Sequence, residues 1–389
     1  MIKPTKSQLI IGASIVLIGC AAPQTRTPTV SNDSAAAETK KQQALVVEDY
    51  MSNYKKLQLV TSKIVTSGTE LCSDKVGSYY GFNFWNQDSF SPALKDAAKA
   101  RYDLNGNFRV LNVVALSPAE KAEIKEGDIL VSINSWLIPL GKDIEKQLNQ
   151  KLVESGKNLA PVEVKLLRNG TEHKVSITPV KSCDFNVQLA PDDVKNAYAD
   201  GKSIVVNKGM MDFFKNDEEV ALVVSHELAH NAMKHIDAKQ KNAIVGGIFG
   251  LLLDIAAAGA GVNTNGEFAK AGAGIAGNTY SVEFEQEADY VGLYFMKKAG
   301  YDIENAAGFW RRMAVNNSQA ITIKSSHPTT PQRFVAIEAT VSEIKAKIAN
   351  GEPLTPELKS KPKLETQPEA GTLPEVEAVP EDQVEPLPI

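Results

Sequence analysis

The chain has 389 residues, 43% of them hydrophobic and 23% charged, which is room for two or three globular domains. Its net charge of −5 leaves no basic footprint for nucleic acid. Only five histidines are present, so a cluster of them would carry information.

Residues 1–20 read as an export segment. Lys3 and Lys6 supply a positive start, and the run from Leu9 to Ile18 is apolar but too short to span a bilayer. It closes on Leu17-Ile18-Gly19-Cys20, which resembles the lipobox of bacterial lipoproteins. The resemblance implies lipidation of Cys20 and, with Ala21 next, a periplasmic protein anchored at the outer membrane. An ordinary signal peptide or a short anchor is the alternative. Export implies an oxidising compartment. The two remaining cysteines, Cys72 and Cys183, then suggest one disulfide, with two buried thiols as the other reading. Such a bond would close a loop of roughly 110 residues, worth at most ~4–5 kcal/mol.

Residues 21–43 are Thr, Ser, Ala, Pro and Gln with little apolar content, the composition of a flexible tether. From Ala44 the pattern turns helical: Val47, Tyr50, Met51, Tyr54, Leu57 and Ile64 fall close to one face, predicting a packing helix within 44–72. Residues 73–183 change to short β-like runs. Tyr79–Trp85, Phe108–Ala115, Ile129–Ile133, Val162–Arg168 and Glu172–Thr178 are strand candidates, the last two joined by the hairpin signal Asn169-Gly170. Pro118–Lys125 and Lys142–Lys151 read as helices.

Within this stretch, Ser117 to Leu130, with Glu-Gly-Asp-Ile-Leu at its end, resembles a bacterial PDZ domain. Glu123 departs from the pattern, standing where that family usually has Gly. PDZ domains bind a chain end by adding it as a strand to a sheet edge. Tyr79-Tyr80-Gly81-Phe82 resembles their carboxylate-binding loop, which makes Tyr80, Gly81 and Phe82 candidate peptide-binding residues. Gly81 as a mere turn former is the alternative.

A second large unit is expected over 184–348. Ser203–Asn207 reads as a strand, here taken as an edge along which an extended substrate could lie. Asp217, Glu218 and Glu219 then open a helix whose Val220, Val223, Val224 and Leu228 form a buried stripe. That helix carries His226-Glu227-Leu228-Ala229-His230. A spacing of four puts both imidazoles on one face, where they can share a Zn²⁺ beside a carboxylate able to act as a base. His235 lies about half a turn off that face and is read as a helix C-terminal charge instead. The Gly- and Ala-rich stretch 243–276 predicts two closely packed helices rather than a membrane span.

Zinc needs a third protein ligand. Glu285 and Asp289, four apart, are the best remaining pair: Glu285 can ligate and Asp289 can accept a hydrogen bond from a ligand imidazole. A solvated acidic face is the alternative. The flanking Phe284, Ala288, Val291 and Phe295 argue for burial.

The two motifs in this order resemble family forty-eight of the zinc metallopeptidases, the type of HtpX and the CAAX prenyl endopeptidases. Asn196–Ala199, Gly300-Tyr301-Asp302, Phe309–Met313 and Ser326-His327-Pro328 with Pro331-Gln332-Arg333 agree with it; Val282 departs, where arginine is common. The resemblance implies Zn²⁺ on His226, His230 and Glu285, Asp289 behind them, and Glu227 as general base. It also makes His327 a candidate latch, transition-state donor or structural residue. Arg333 becomes a candidate for substrate contact or for pairing with a buried carboxylate.

Residues 349–389 are rich in Pro and Glu without aromatics, predicting a disordered acidic tail. The fold class expected is α+β and multidomain: a mainly helical zincin-type protease domain with a small sheet, a β-rich PDZ-like domain, and unstructured ends. The function expected is a zinc endopeptidase of the bacterial envelope acting on unfolded or misassembled envelope proteins. A peptide-binding adaptor or chaperone with a structural metal is the competing reading.

Overall fold

The computed structural model describes residues 25–141, 143–259, 262–278, 281–316, 327 and 330–359. The expected lipobox with Cys20, and residues 360–389 of the tail expected from 349, lie outside the described residues. Residues 349–359 correct that expectation: the last described helix runs to Asn350, and the chain beyond it is held by Lys347 Nζ donating to the Thr355 carbonyl at 2.7 Å and by the Glu357 amide donating to the Tyr290 hydroxyl at 2.8 Å. The described chain divides into two compact units, one of residues 25–59 with 79–180 and one of 60–78 with 181–359.

Helix α1 (Asn32–Ser67) comes first. It starts at Asn32 rather than at Ala44, so residues 32–43 of the expected tether are helical. Residues 35–43 are Ala, Glu, Thr, Lys and Gln, mostly strong helix formers that lack an apolar stripe. Composition alone therefore misread them. Ser31 accepts a hydrogen bond from the Ser34 amide at 3.1 Å, as a helix cap does. Strand β1 (Val76–Tyr79) follows.

The first unit is built on β2 (Phe82–Trp85), α2 (Lys95–Tyr102), β3 (Arg109–Val113), α3 (Pro118–Lys121), β4 (Ile129–Ile133), β5 (Trp136–Leu137), α4 (Ile144–Ser155), β6 (Val162–Arg168) and β7 (Thr171–Ile177). The sheet runs β2-β3-β4-β6-β7, with β5 on β4, and its mapped pairings are antiparallel. Asn169 and Gly170 make the β6–β7 turn with positive φ at both, which is why that dipeptide suits it. Alternation sends Phe82 and Phe84 into a core with Phe108, Leu148 and Val164. On the other face Val47, Met51, Ala98, Leu104 and Leu111 form a second cluster, against which Trp85 packs. Glu123 sits at φ +60, the conformation for which a glycine would be favoured.

In the second unit β8 (Val180–Cys183) pairs with β1, and Cys72 is disulfide-bonded to Cys183 with Cα atoms 5.6 Å apart. A three-stranded sheet follows from β9 (Asn186–Ala190), β10 (Ala197–Ala199) and β11 (Ser203–Asn207), in the order β10-β11-β9. Strand β11 pairs antiparallel with β10 and parallel with β9, so both its edges are taken. The expectation of Ser203–Asn207 as the edge strand is thus corrected: β10 and β9 are the edge strands of this sheet. Pairing between strands is non-local, and β11's own residues do not reveal it.

Helices complete this unit: α5 (Lys208–Phe213), α6 (Asp217–Ala232), α7 (His235–Gly259), α8 (Glu267–Asn278), α9 (Ser281–Lys298), α10 (Ala306–Asn316) and α11 (Pro331–Asn350). Helices α7 and α8 pack closely: a Cβ on Gly250 would stand 2.0 Å from the Phe268 carbonyl oxygen. Asp254 is buried between them and accepts from the Ala269 amide at 2.8 Å. The remaining surface of α7 is apolar, with Ile248, Phe249 and Leu252 exposed, and by length and composition alone this helix could cross a membrane.

Candidate metal centre

Helix α6 is positioned at its start. Asn216 caps it, accepting from the Glu219 amide at 3.0 Å, while Glu219 accepts from the Lys215 amide at 2.7 Å. Arg312 of α10 grips both Glu219 oxygens at 2.7 and 2.6 Å. Burial opposes that carboxylate's charge, but the Arg312 fork and the Lys215 amide outweigh it and hold its pKa below the usual range. From Glu219 to Ala232 every residue of α6 is buried. Its apolar residues explain that burial; His226, Glu227 and His230 require another reason.

That reason lies on α9. Glu285 is fully buried, and its Oε2 lies 3.3 Å from His226 Nε2 while its Oε1 lies 3.3 Å from His230 Nε2. The two Nε2 atoms are themselves 3.1 Å apart. The sequence reading thus placed His226, His230 and Glu285 in one cluster, and the structure brings them together. Asp289 stands behind His226, with Oδ1 3.0 Å from Nδ1. Arg333 of α11 pairs with Asp289 at 2.7 and 2.8 Å and approaches Glu285 at 3.1 Å. With 1% of its side chain exposed, Arg333 is set as a buried counter-ion. Of its two expected roles, carboxylate pairing is the one the geometry provides. Its pKa is raised: burial opposes the charge, but Asp289 and Glu285 more than compensate.

The charges of this cluster pull its two histidines apart. Burial disfavours a proton on His226, but Asp289 and Glu285 override it and raise the pKa to about 10. Burial dominates at His230 and lowers its pKa to about 4. Glu285 is held well below the carboxylate range despite its burial, by His327, His226 and His230.

Glu227 projects into the same space. Its Oε1 lies 3.6 Å from His327 Nε2, and its Oε2 is buried without a hydrogen-bond partner. His327 also approaches Glu285, Nδ1 to Oε2 at 3.0 Å. Ligand atoms of His226, His230, Glu285 and His327 all lie within 4.8 Å of one another.

The residues fit a zinc ion. The His226–His230 and histidine–Glu285 separations of 3.1 and 3.3 Å approach the ~3.4 Å edge of a tetrahedron with ~2.1 Å bonds. Two imidazoles and a carboxylate are also the donor set of a catalytic rather than a structural zinc site.

His235 was misread from the sequence. It does not end α6 but opens α7, because Lys234 takes φ +58 and breaks the helix after the Met233 cap. The ring returns beneath His230, with Nδ1 atoms 2.9 Å apart, and its Nε2 lies 2.9 Å from Glu287 Oε2. No spacing rule for a continuous helix would have found this contact.

In the first unit, Tyr80 and Phe82 are 8% exposed and belong to the core. The Tyr80 hydroxyl donates to the Leu152 carbonyl at 2.7 Å. Gly81 sits at φ +85, where a Cβ would come 2.1 Å from Ser117 Cβ. Any peptide contact here would therefore use backbone groups of this loop and the outer edge of β2.

Comparison with known proteins matches two stretches of the chain. Residues 172–341 match the family model described as Peptidase family M48, and residues 80–178 match that of the PDZ domain. Mitochondrial metalloendopeptidase OMA1 of Schizosaccharomyces pombe is 25% identical over 177 residues, 44% of this chain and 51% of that protein. The beta-barrel assembly-enhancing protease of Yersinia pestis is 30% identical over 33% of this chain and 28% of its own length. Metalloprotease YcaL of Escherichia coli is 26% identical over 67% of this chain and 95% of its own. The chain thus spans about half or less of the first two relatives and nearly all of the third.

Proposed function

We propose that this chain, which carries a Peptidase family M48 domain behind a PDZ domain, is a zinc-dependent endopeptidase of the bacterial cell envelope. The observation that carries the reading is the convergence of His226, His230 and Glu285 with the unpartnered carboxylate oxygen of Glu227. A peptide-binding adaptor would have no use for that buried carboxylate.

His226 Nε2, His230 Nε2 and a Glu285 oxygen would hold the ion. When bound, Zn²⁺ polarises the scissile carbonyl and acidifies water. Glu227 accepts the proton of the attacking water on its free oxygen and delivers it to the leaving amine. Asp289 and Arg333 keep the His226 ring oriented, and Trp310, 5.1 Å from that ring, walls the site against solvent. The outer edge of β10 offers main-chain groups to an extended substrate. Asn231 of α6 ties that hairpin down, accepting from the Gly201 amide at 2.8 Å and donating to the Ser203 carbonyl at 3.0 Å. His327, 3.0 Å from Glu285 Oε2 and 3.6 Å from Glu227 Oε1, is placed to act as a cap over both carboxylates.

Among the relatives are beta-barrel assembly-enhancing proteases, which supports unfolded or misassembled envelope proteins as substrates, with the PDZ unit holding a chain end at β2. A Cys20-linked lipid would tether the protein at the outer membrane; loss of labelled palmitate from Cys20→Ala tests this. The decisive test of the function is casein cleavage by wild type and Glu227→Gln, each with and without chelator. Cleavage only by metal-loaded wild type is expected; equal cleavage in all four samples would defeat the reading.

A further inference from the structure

We propose that His235, backed by Glu287, is a positioning residue that fixes the His230 ring in the tautomer able to ligate a metal. The inference rests on the metallopeptidase reading above. His230 faces two ways. Its Nε2 lies among the ligand atoms, 3.3 Å from Glu285 Oε1, and its Nδ1 lies 2.9 Å from His235 Nδ1. Two ring nitrogens in contact need one N–H and one lone pair between them. The far side of His235 decides which has which. Its Nε2 is 2.9 Å from Glu287 Oε2, and an ionised carboxylate can only accept. With Nε2 donating to Glu287, the tautomer of His235 that completes both contacts presents the lone pair of Nδ1. His230 must then carry its proton on Nδ1 and donate it to His235. Its Nε2 is left with a free lone pair aimed at the ligand cluster, which is what metal ligation requires.

The surroundings keep this chain of donors in place. His235 is 1% exposed and stacks on Phe284 with ring centroids 4.6 Å apart at 21°. The left-handed turn at Lys234 sets the ring beneath its partner. His226 has no such intermediary, because Asp289 faces its Nδ1 directly. One helix, α9, thus serves both imidazoles: Asp289 at first hand, Glu287 through an interposed ring.

The test compares His235→Phe, which keeps a ring against Phe284 but has no nitrogen, with His235→Asn. The asparagine amide oxygen sits near the place of Nδ1 and can accept from His230. In the metal-free protein, nitrogen-15 spectra of the His230 ring report which nitrogen is protonated. Wild type and His235→Asn should show Nδ1–H, and His235→Phe should lose that preference. Zinc affinity by chelator competition should fall ~10–100-fold in His235→Phe and stay near wild type in His235→Asn. Should His235→Phe not fold, Glu287→Ala, at a half-exposed position, should shift ring and affinity in the same direction. Wild-type zinc affinity in His235→Phe, or an Nε2–H ring in metal-free wild type, would overturn the proposal. Absence of zinc binding by wild type would instead defeat the metallopeptidase reading, and the ring tautomer would still decide the positioning role.

Discussion

Gly292 of α9 lies directly against the backbone of His226. A Cβ at Gly292 would stand 3.1 Å from the His226 nitrogen and 3.2 Å from its Cα, tighter than ordinary contact. The absent side chain lets the two helices approach until Glu285 reaches the imidazoles.

Gly292→Val should therefore part α6 from α9. Overpacking of this kind costs ~1–3 kcal/mol, so a lower melting temperature is expected, together with loss of tight zinc binding. Gly292→Ala needs a shift of only tenths of an ångström and should keep most of both. Metal analysis and thermal melts check this. A valine variant with full zinc content would show that this packing does not set the ligand geometry.

His327 approaches Glu285 and Glu227 at once, at 3.0 and 3.6 Å, with about a fifth of its side chain exposed. As a cap it restrains the site, so His327→Ala should raise casein cleavage several-fold without changing zinc content. A fall in kcat at unchanged zinc would reassign His327 to the reaction itself.

The sequence made the candidate metal-binding cluster legible because both halves are local. His226 and His230 share a helical face, as do Glu285 and Asp289, and only their meeting required coordinates. What stayed hidden depends on breaks in periodicity or on distant pairing. His235 escaped because Lys234 leaves the helical phase. The central place of β11 escaped because β9 and β10 decide it. The start of α1 escaped because Ala, Lys and Gln build a helix without an apolar stripe. Tyr80 and Phe82 were legible as a PDZ-type loop, but whether their side chains face solvent or core depends on the sheet that folds over them.

The Cys72–Cys183 bond joins residues 111 apart in sequence. Closing a loop of that size stabilises a fold by up to ~4.7 kcal/mol in the chain-entropy model. Reduction, or Cys72→Ser with Cys183→Ser, should lower the denaturant midpoint by a corresponding amount. An unchanged midpoint would mean that the second unit holds its fold without the bond.

The part-buried Glu219–Arg312 pair makes stability depend on pH. The pKa of Glu219 is depressed in the folded chain. Its contribution is then fully present above the unfolded value of ~4.3 and is lost as pH falls through the lower, folded value. Glu219→Gln should be less stable than wild type at neutral pH, and the gap should close under acid. Urea unfolding across that range checks it, and a gap that widens as pH falls would contradict the assignment.

The central claim is that three side chains on two helices hold one catalytic zinc. The most direct measurement is zinc content per chain, after dialysis against a weak chelator, for wild type, His226→Phe, His230→Phe, Glu285→Gln and Glu227→Gln. One equivalent is expected in wild type and in the proteolytically inert Glu227→Gln, and almost none in the other three. A full equivalent in Glu285→Gln, or none in wild type, would contradict the account.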